Sequence, residues 1–341
     1  MNKASVVILN YNGEKLLPQF LPSVIQHSKN ATVVVVDNAS TDQSLQILST
    51  NFPSVTVIKL DKNYGFCGGY NQALKKIGSP YYVLLNSDVE VTPDWLDPLE
   101  ALLDSNPNIA AVQPKILSYH QKDHFEYAGA GGGFIDSFGY PFCRGRLFDF
   151  TEQDTQQYND TREIFWATGA CVMVRSNVFH ELGGFDEDFF AHMEEIDLCW
   201  KIQRMGLQVF YCGSSHVYHV GAGTLLRSNP RKTYYNFRNG LSLIFKHWSM
   251  GAILFKLPLR LLLDYVALLK FLISGKPGDA MAIIKAHYHF VKSWGKTSAK
   301  RKLLKSKYPI SSRNTYSGLV LWDYFVLGRK SININVINNP K

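Results

Sequence analysis

Thr32-Val33-Val34-Val35-Val36-Asp37-Asn38-Ala39-Ser40-Thr41-Asp42 decides the fold. A β-branched run with no polar break predicts a strand buried on both faces, and the turn-forming residues that follow mark its C-terminal end. Four more apolar runs lie around it, Ala4–Leu9, Val55–Leu60, Tyr81–Leu85 and Ile109–Val112, separated by helix-length segments. Runs of this kind belong in parallel strands covered by helices, so the expected fold is α/β, a doubly wound, mostly parallel sheet. One connecting helix is expected to start at Thr92 and Pro93, with a bend or a short first segment at Pro98. Residues 116–162, with Gly129-Ala130-Gly131-Gly132-Gly133 inside, read as a long excursion from the sheet. Helices over Asn177–Leu182 and Glu194–Met205 then stop at Gly183-Gly184 and Gly206.

Composition limits the classes. With 341 residues, 46% hydrophobic and 19% charged, the chain can bury a large core. Its five cysteines include no C-x-x-C pair, which argues for a reducing compartment. The apolar run Val6–Leu9 is too short for a signal peptide, so the expected location is cytoplasmic. Charge is uneven: Arg227–Lys307 holds 17 of the 36 Lys and Arg residues but only two of the 28 acids. Such a section meets anionic partners or forms a solvated basic face. Between Leu254 and Ile273 the charges Lys256, Arg260, Asp264 and Lys270 share a narrow arc and leave a wide apolar face. No uncharged stretch there is long enough to span a bilayer, which favours a helix lying in a membrane interface or buried on a partner.

Two phosphate motifs are excluded. The glycine run at 129–133 ends in Phe134 where a dinucleotide fingerprint needs a small residue, and Gly295-Lys296-Thr297 lacks the upstream glycine of a P-loop. Polar groups instead follow three predicted strands: Asn10-Tyr11-Asn12-Gly13, Asp37 through Asp42, and Asn86-Ser87-Asp88. This is the edge where open α/β sheets bind ligands. Asp37 reads as an acceptor for a base N–H or as a turn-former. Asn63-Tyr64-Gly65 through Gly69-Tyr70-Asn71 offers backbone N–H groups to an anion at a helix start, or simply packs. Asp88 is a hard oxygen ligand, and His216 or His219 is the residue type that would complete a site for Mn²⁺. Glu194, Glu195 and Asp197 crowd one helix start, where the helix field favours a deprotonated base and also rewards acids for stability alone.

The ordered set Ile8–Asn12, Val36–Asp42, Asn63-x-Gly65-Phe66-x-Gly68-Gly69-x-Asn71, Leu85–Glu90, Trp166-x-x-Gly169-Ala170 and Gly184-Phe185-Asp186 through Cys199 resembles the family 2 glycosyltransferases of the GT-A fold, particularly the rhamnosyltransferase-like branch. The resemblance runs from Ser5 to about Asn239. It implies an inverting glycosyltransferase that uses a UDP- or dTDP-sugar, with dTDP-rhamnose a candidate, in cell-surface polysaccharide synthesis. By the resemblance Asp37 holds the nucleobase and Asn10, Tyr11 and Asn12 line the nucleoside. Ser40, Asn63, Gly65, Gly69, Asn71, Asn86 and Ser87 complete the donor site. Asp88 and His219 hold Mn²⁺ or Mg²⁺, Glu195 is the catalytic base, and Trp166 and Glu194 face the acceptor, although Trp166 reads equally as core. Arg227, Arg231, Lys232 and Arg238 bring positive charge to the diphosphate on a mobile loop. Two residues depart from the pattern: Asn86 replaces the first acid of the D-x-D motif, and the base is Glu where Asp is commoner.

A catalytic domain over 1–225 and a C-terminal loop with amphipathic helices over 226–341 follow. The expected acceptor is a saccharide or lipid-linked saccharide, met peripherally at the anionic inner face of the cell membrane. Nucleic acid is not expected. The alternatives are a nucleotidyltransferase, which would show a glycine-rich basic loop after the first strand, and a non-catalytic nucleotide-sugar-binding protein.

Overall fold

The structure, a computed structural model, describes residues 2–221, 229–309 and 314–334. Strand and helix alternate at first: β1 Ala4–Asn10, α1 Leu16–His27, β2 Ala31–Asp37, α2 Ser44–Asn51, β3 Thr56–Lys59, α3 Gly65–Leu74 and β4 Tyr81–Leu85. β3, β2, β1 and β4 lie side by side and parallel, with Asn10 beside Asp37 and Ile8 beside Leu85. Their apolar side chains fill two layers of core, one on each face of the sheet. The polar residues that end these strands therefore leave the sheet at one edge.

β5 Val89–Val91 and α4 Asp97–Ser105 come next. The helix starts later than the sequence suggests. Pro98 occupies its first turn, where a missing N–H costs nothing, while the Thr92 hydroxyl donates to the His216 carbonyl at 2.7 Å. After β6 Ile109–Ser118, part of the expected excursion folds into β7 Gly133–Asp136, β8 Pro141–Cys143, β9 Arg146–Leu147 and β10 Phe150–Thr151. The chain returns through β11 Thr161–Ile164, β12 Cys171–Arg175, α5 Ser176–Glu181, α6 Glu194–Arg204 and β13 Gln208–His219. β12 enters antiparallel between β4 and β6, so the nine-stranded sheet is mixed in its second half. β13 runs beside β6, carries an irregularity between Cys212 and His216, and pairs its end with β5, setting His219 opposite Val89.

The C-terminal section forms α7 Pro230–His247, α8 Met250–Ile273, α9 Pro277–Lys292 and α10 Trp294–Lys307, followed by β14 Thr315–Tyr316 and α11 Val320–Phe325. β14 joins the small sheet beside β7, so this section is tied to the body. In α8 the charged arc points inward. Arg260 pairs with Asp264 at 3.1 Å and donates to the Phe138 carbonyl, Asp264 meets His287, and Lys256 bonds the Ser137 carbonyl. The apolar arc is left outside, with Phe255 78% and Ile273 88% exposed. Among the described residues no helix is long and apolar enough to cross a membrane.

Candidate active site

The edge beyond β1 and β2 is organised by Asp37, which is buried. Its carboxylate accepts from Asn10 Nδ2 at 3.3 Å and from the Ser40 backbone at 3.1 Å, and Asn10 Nδ2 also reaches the Ser40 hydroxyl at 3.1 Å. Asn12 has a left-handed backbone, φ 54°, and its side-chain oxygen accepts from Thr41 N–H at 2.8 Å, which joins the two loops. Tyr11 is left exposed over them. Beside this, Asn38 Nδ2 donates to Asn63 Oδ1 at 3.1 Å, and Asn63 Oδ1 also caps Gly65 N–H at 2.8 Å. Gly65 has φ +70°, and a Cβ there would sit 2.8 Å from the ring of Phe190, so the start of α3 lies against the 189–193 loop.

Two residues expected at the donor are spent on structure. The Asn71 amide donates to the Phe185 carbonyl at 2.9 Å and to Glu187 at 3.1 Å, and accepts from Phe185 N–H, which makes it a strut for the 184–187 turn. Gly69 is inside α3, and a Cβ there would lie 2.7 Å from Leu9; its smallness seats β1 against the helix.

Beyond β4, Asn86 N–H bonds the Ala170 carbonyl at 3.0 Å, and Ser87 is half-buried in the turn to Asp88. Asp88 Oδ1 lies 3.2 Å from His219 Nε2, placed there because β5 and β13 pair at Val89. Asn86 Nδ2 stands 3.4 Å from the same nitrogen. Behind the ring, Glu126 Oε2 lies 3.3 Å from Nδ1. All three ionisable side chains are buried. Burial works against charge here, but the mutual hydrogen bonds and charges outweigh it: they lower both carboxyls and raise His219 to about 10. Glu126 is a residue that sequence reasoning missed.

Glu194 and Glu195 open α6. Gly169 brings Glu195 to this edge: a Cβ there would lie 3.9 Å from Glu195 Cβ, one residue from the Ala170 that bonds Asn86. Glu195 is partly exposed, and one carboxylate oxygen on each glutamate is buried with no partner. Burial, with Glu195 beside it, pushes the Glu194 carboxyl well above its ordinary range, and burial raises Glu195 to about 7. Asp197, by contrast, is held far below it: burial is overcome by Lys246, Lys201 and His247, an ion cluster that locks α6 to α7. Helix starts gather acids for more than one reason, and here the third is structural.

Two expectations are corrected. Trp166 offers no platform to a sugar; it is 4% exposed, its ring fills the space over Gly133, and Nε1 donates to the Phe134 carbonyl at 2.9 Å. Arg238 uses its guanidinium on the carbonyls of Asp188 and Phe189, at 2.6 and 3.2 Å, and is not free for a diphosphate. Arg231 is exposed at the rim, 5.7 Å from the rings of Phe190 and Tyr235. Arg227 lies outside the described residues.

As a cation site the donor set is one carboxylate and one imidazole. Among the described residues no group of three or more His, Cys, Asp and Glu is arranged to hold an ion. The pair still fits a cation whose remaining ligands come from a diphosphate, and Glu126 stands where a carboxylate orients a metal-binding imidazole.

Comparison with known proteins gives consistent results. The family model "Glycosyl transferase family 2" matches residues 5–183. The chain is 26% identical over 233 residues to an N-acetylglucosaminyl-diphospho-decaprenol L-rhamnosyltransferase of Mycobacterium tuberculosis, covering 63% of this chain and 75% of that one. It is 24% identical over 245 residues to the low-salt glycan biosynthesis hexosyltransferase Agl10 of Haloferax volcanii, covering 70% and 74%. Among solved structures, GalNAc-T7 with UDP, GalNAc and Mn²⁺ superposes with a TM-score of 0.57 at 19% identity, over 72% of this chain and about half of the other, 49%. The mannosyltransferase PcManGT from Pyrobaculum calidifontis, in complex with GDP-Man and Mn²⁺, gives 0.51 at 15% identity over 90% and 87%.

Proposed function

The chain belongs to glycosyl transferase family 2, and from that premise we propose that it is an inverting, metal-assisted hexosyltransferase of cell-surface polysaccharide synthesis. The donor is a UDP- or dTDP-sugar, with dTDP-rhamnose favoured by the likeness to a rhamnosyltransferase. The acceptor is a hydroxyl of a saccharide or lipid-linked saccharide. One observation supports the reading: Asn86 N–H bonds the Ala170 carbonyl, and Gly169, the residue before it, lies beside Glu195, so the turn that leads to Asp88 and the helix start that carries the glutamate pair are neighbours.

In this reading Asp37, Asn10 and Ser40 shape the nucleoside pocket, with Tyr11 covering it. Asp88 and His219 would hold a divalent cation, which would supply positive charge for the departing diphosphate. Glu195 accepts the acceptor hydroxyl proton, the hydroxyl oxygen bonds the anomeric carbon, and the carbon–oxygen bond to the diphosphate breaks with its electron pair on the nucleoside diphosphate. Glu194 faces the acceptor beside it, its carboxyl pushed up by burial and by Glu195. The direct test offers UDP-, dTDP- and GDP-sugars with Mn²⁺ and measures nucleoside diphosphate release. No release from any donor contradicts the proposal.

Glu126→Gln tests the support behind His219. Loss of an outer-shell carboxylate typically weakens metal affinity by about 10–100-fold. Titration with Mn²⁺ in the presence of UDP should show such a loss; unchanged affinity would remove Glu126 from the site.

The acceptor is met at an anionic membrane surface, in our reading. The outward arc of α8 exposes Leu254, Phe255, Leu262 and Ile273, and Trp294 and Trp322 are also exposed. Between residues 229 and 309 the only two acids, Asp264 and Asp279, are buried, while Lys285, Lys292 and Lys302 are exposed. An exposed apolar face in a section whose exposed charges are all cationic suits an anionic interface, each lysine adding about 1 kcal/mol near the surface. The protein should float with anionic vesicles, and Phe255→Asp with Ile273→Asp should cut binding at least about tenfold. Wild-type protein left at the bottom of the gradient contradicts this.

A further inference from the structure

The loop that delivers the glutamate pair is held in a conformation its own residues disfavour. Phe190, His192 and Met193 have φ of 64°, 67° and 74°, in the left-handed region that side chains with a Cβ avoid. Three such residues within four positions do not persist unless their surroundings impose them. The constraint comes from α7. Asn239, fully buried, donates from Nδ2 to the carbonyls of Phe189 at 3.0 Å, Ala191 at 2.8 Å and His192 at 2.7 Å. A reversed amide is ruled out, because its oxygen would face three carbonyl oxygens. Asn239 Oδ1 is buried without a hydrogen-bond partner, so the hydrogen bonds of this side chain all run to the loop. Arg238 adds two bonds to the same loop, at Asp188 and Phe189.

The loop leads directly into α6, whose first residue is Glu194 and whose N-cap, Met193, makes no side-chain capping bond. We infer that Asn239 is a positioning residue for the reaction: it fixes the backbone of 189–193 and so sets where Glu194 and Glu195 present their carboxylates. The inference rests on the catalytic reading of Glu195. It also makes α7 part of the catalytic apparatus.

The test compares Asn239→Ala with Ile244→Ala, a truncation in the same helix whose side chain packs on Gly139, away from the loop. Both variants lose stability. Asn239→Ala should lower kcat about 100-fold, the scale of a displacement near 1 Å at a catalytic group, and leave the donor KM and the affinity for UDP or dTDP within about twofold. Ile244→Ala should keep kcat within about threefold at a temperature where it is folded, because it touches none of the loop carbonyls. Wild-type kcat in Asn239→Ala overturns the inference, and so does a matching loss of kcat and nucleotide affinity in both variants. An active Glu195→Gln enzyme would overturn the catalytic reading, and this inference with it.

Discussion

Glu195→Gln is expected to lower glycosyl transfer by about 10²–10⁴-fold, the contribution of a positioned general base, while UDP or dTDP binding stays within about twofold. The amide keeps the shape of the side chain and loses the ability to take a proton. The same residue sets the pH dependence. With its carboxyl raised to about 7 by burial, the base is protonated below neutrality, so kcat should fall as pH drops through that value. Stability should move the opposite way. An acid raised on folding holds its proton in the folded chain where the unfolded chain has already lost it. Between the ordinary glutamate value and about 7 the folded state therefore binds more protons, and stability declines as pH rises. Thermal unfolding across pH 4–8 checks the sign: in Glu195→Gln this part of the decline should disappear. A rate independent of pH through neutrality would contradict the assignment.

Asp88→Asn is the second large effect. The carboxylate is buried, paired with His219 and preceded by no other acid of its own motif, since Asn86 stands two residues before it. In the proposed site it is the one anionic ligand the β4 turn supplies. Removing it should cost about 10²–10³-fold in transfer, the scale of deleting one preorganised group that faces developing charge. Mn²⁺ titration should show weaker binding in parallel. Asn also leaves His219 with only Glu126 as a charged neighbour, so the ring should titrate at lower pH than in the parent protein. Full activity in Asp88→Asn with Mn²⁺ bound as before would contradict the role.

Much of this was legible in the sequence. The strands that carry Asn10, Asp37 and Asn86 announce themselves by unbroken apolar runs, and α5 and α6 end at the glycines expected to stop them. The second sheet was not legible, because strands of two to four residues are too short to show a period. Glu126 lies in the unpatterned stretch between β6 and β7, and its place beside His219 exists only because β13 brings the ring against it. Periodicity placed the charges of α8 on one arc but could not say which arc faces the body. Arg260 and Asp264 turned out to be buried together, and the apolar arc points outward. Trp166 and Arg238 show the same limit from the other side. Residue type suggested a sugar platform and a phosphate contact, while burial and carbonyl partners assign both to the framework.

The central claim is that Asp88 and His219 address the diphosphate of one bound donor while Glu195 faces its sugar from across the sheet edge. A crystal structure with Mn²⁺ and UDP or dTDP measures this directly. The account predicts the ion on Asp88 and His219, the diphosphate against it, and the Glu195 carboxylate opening onto the same cleft. An ion bound elsewhere, or Glu195 turned to a different face of the protein, would contradict it.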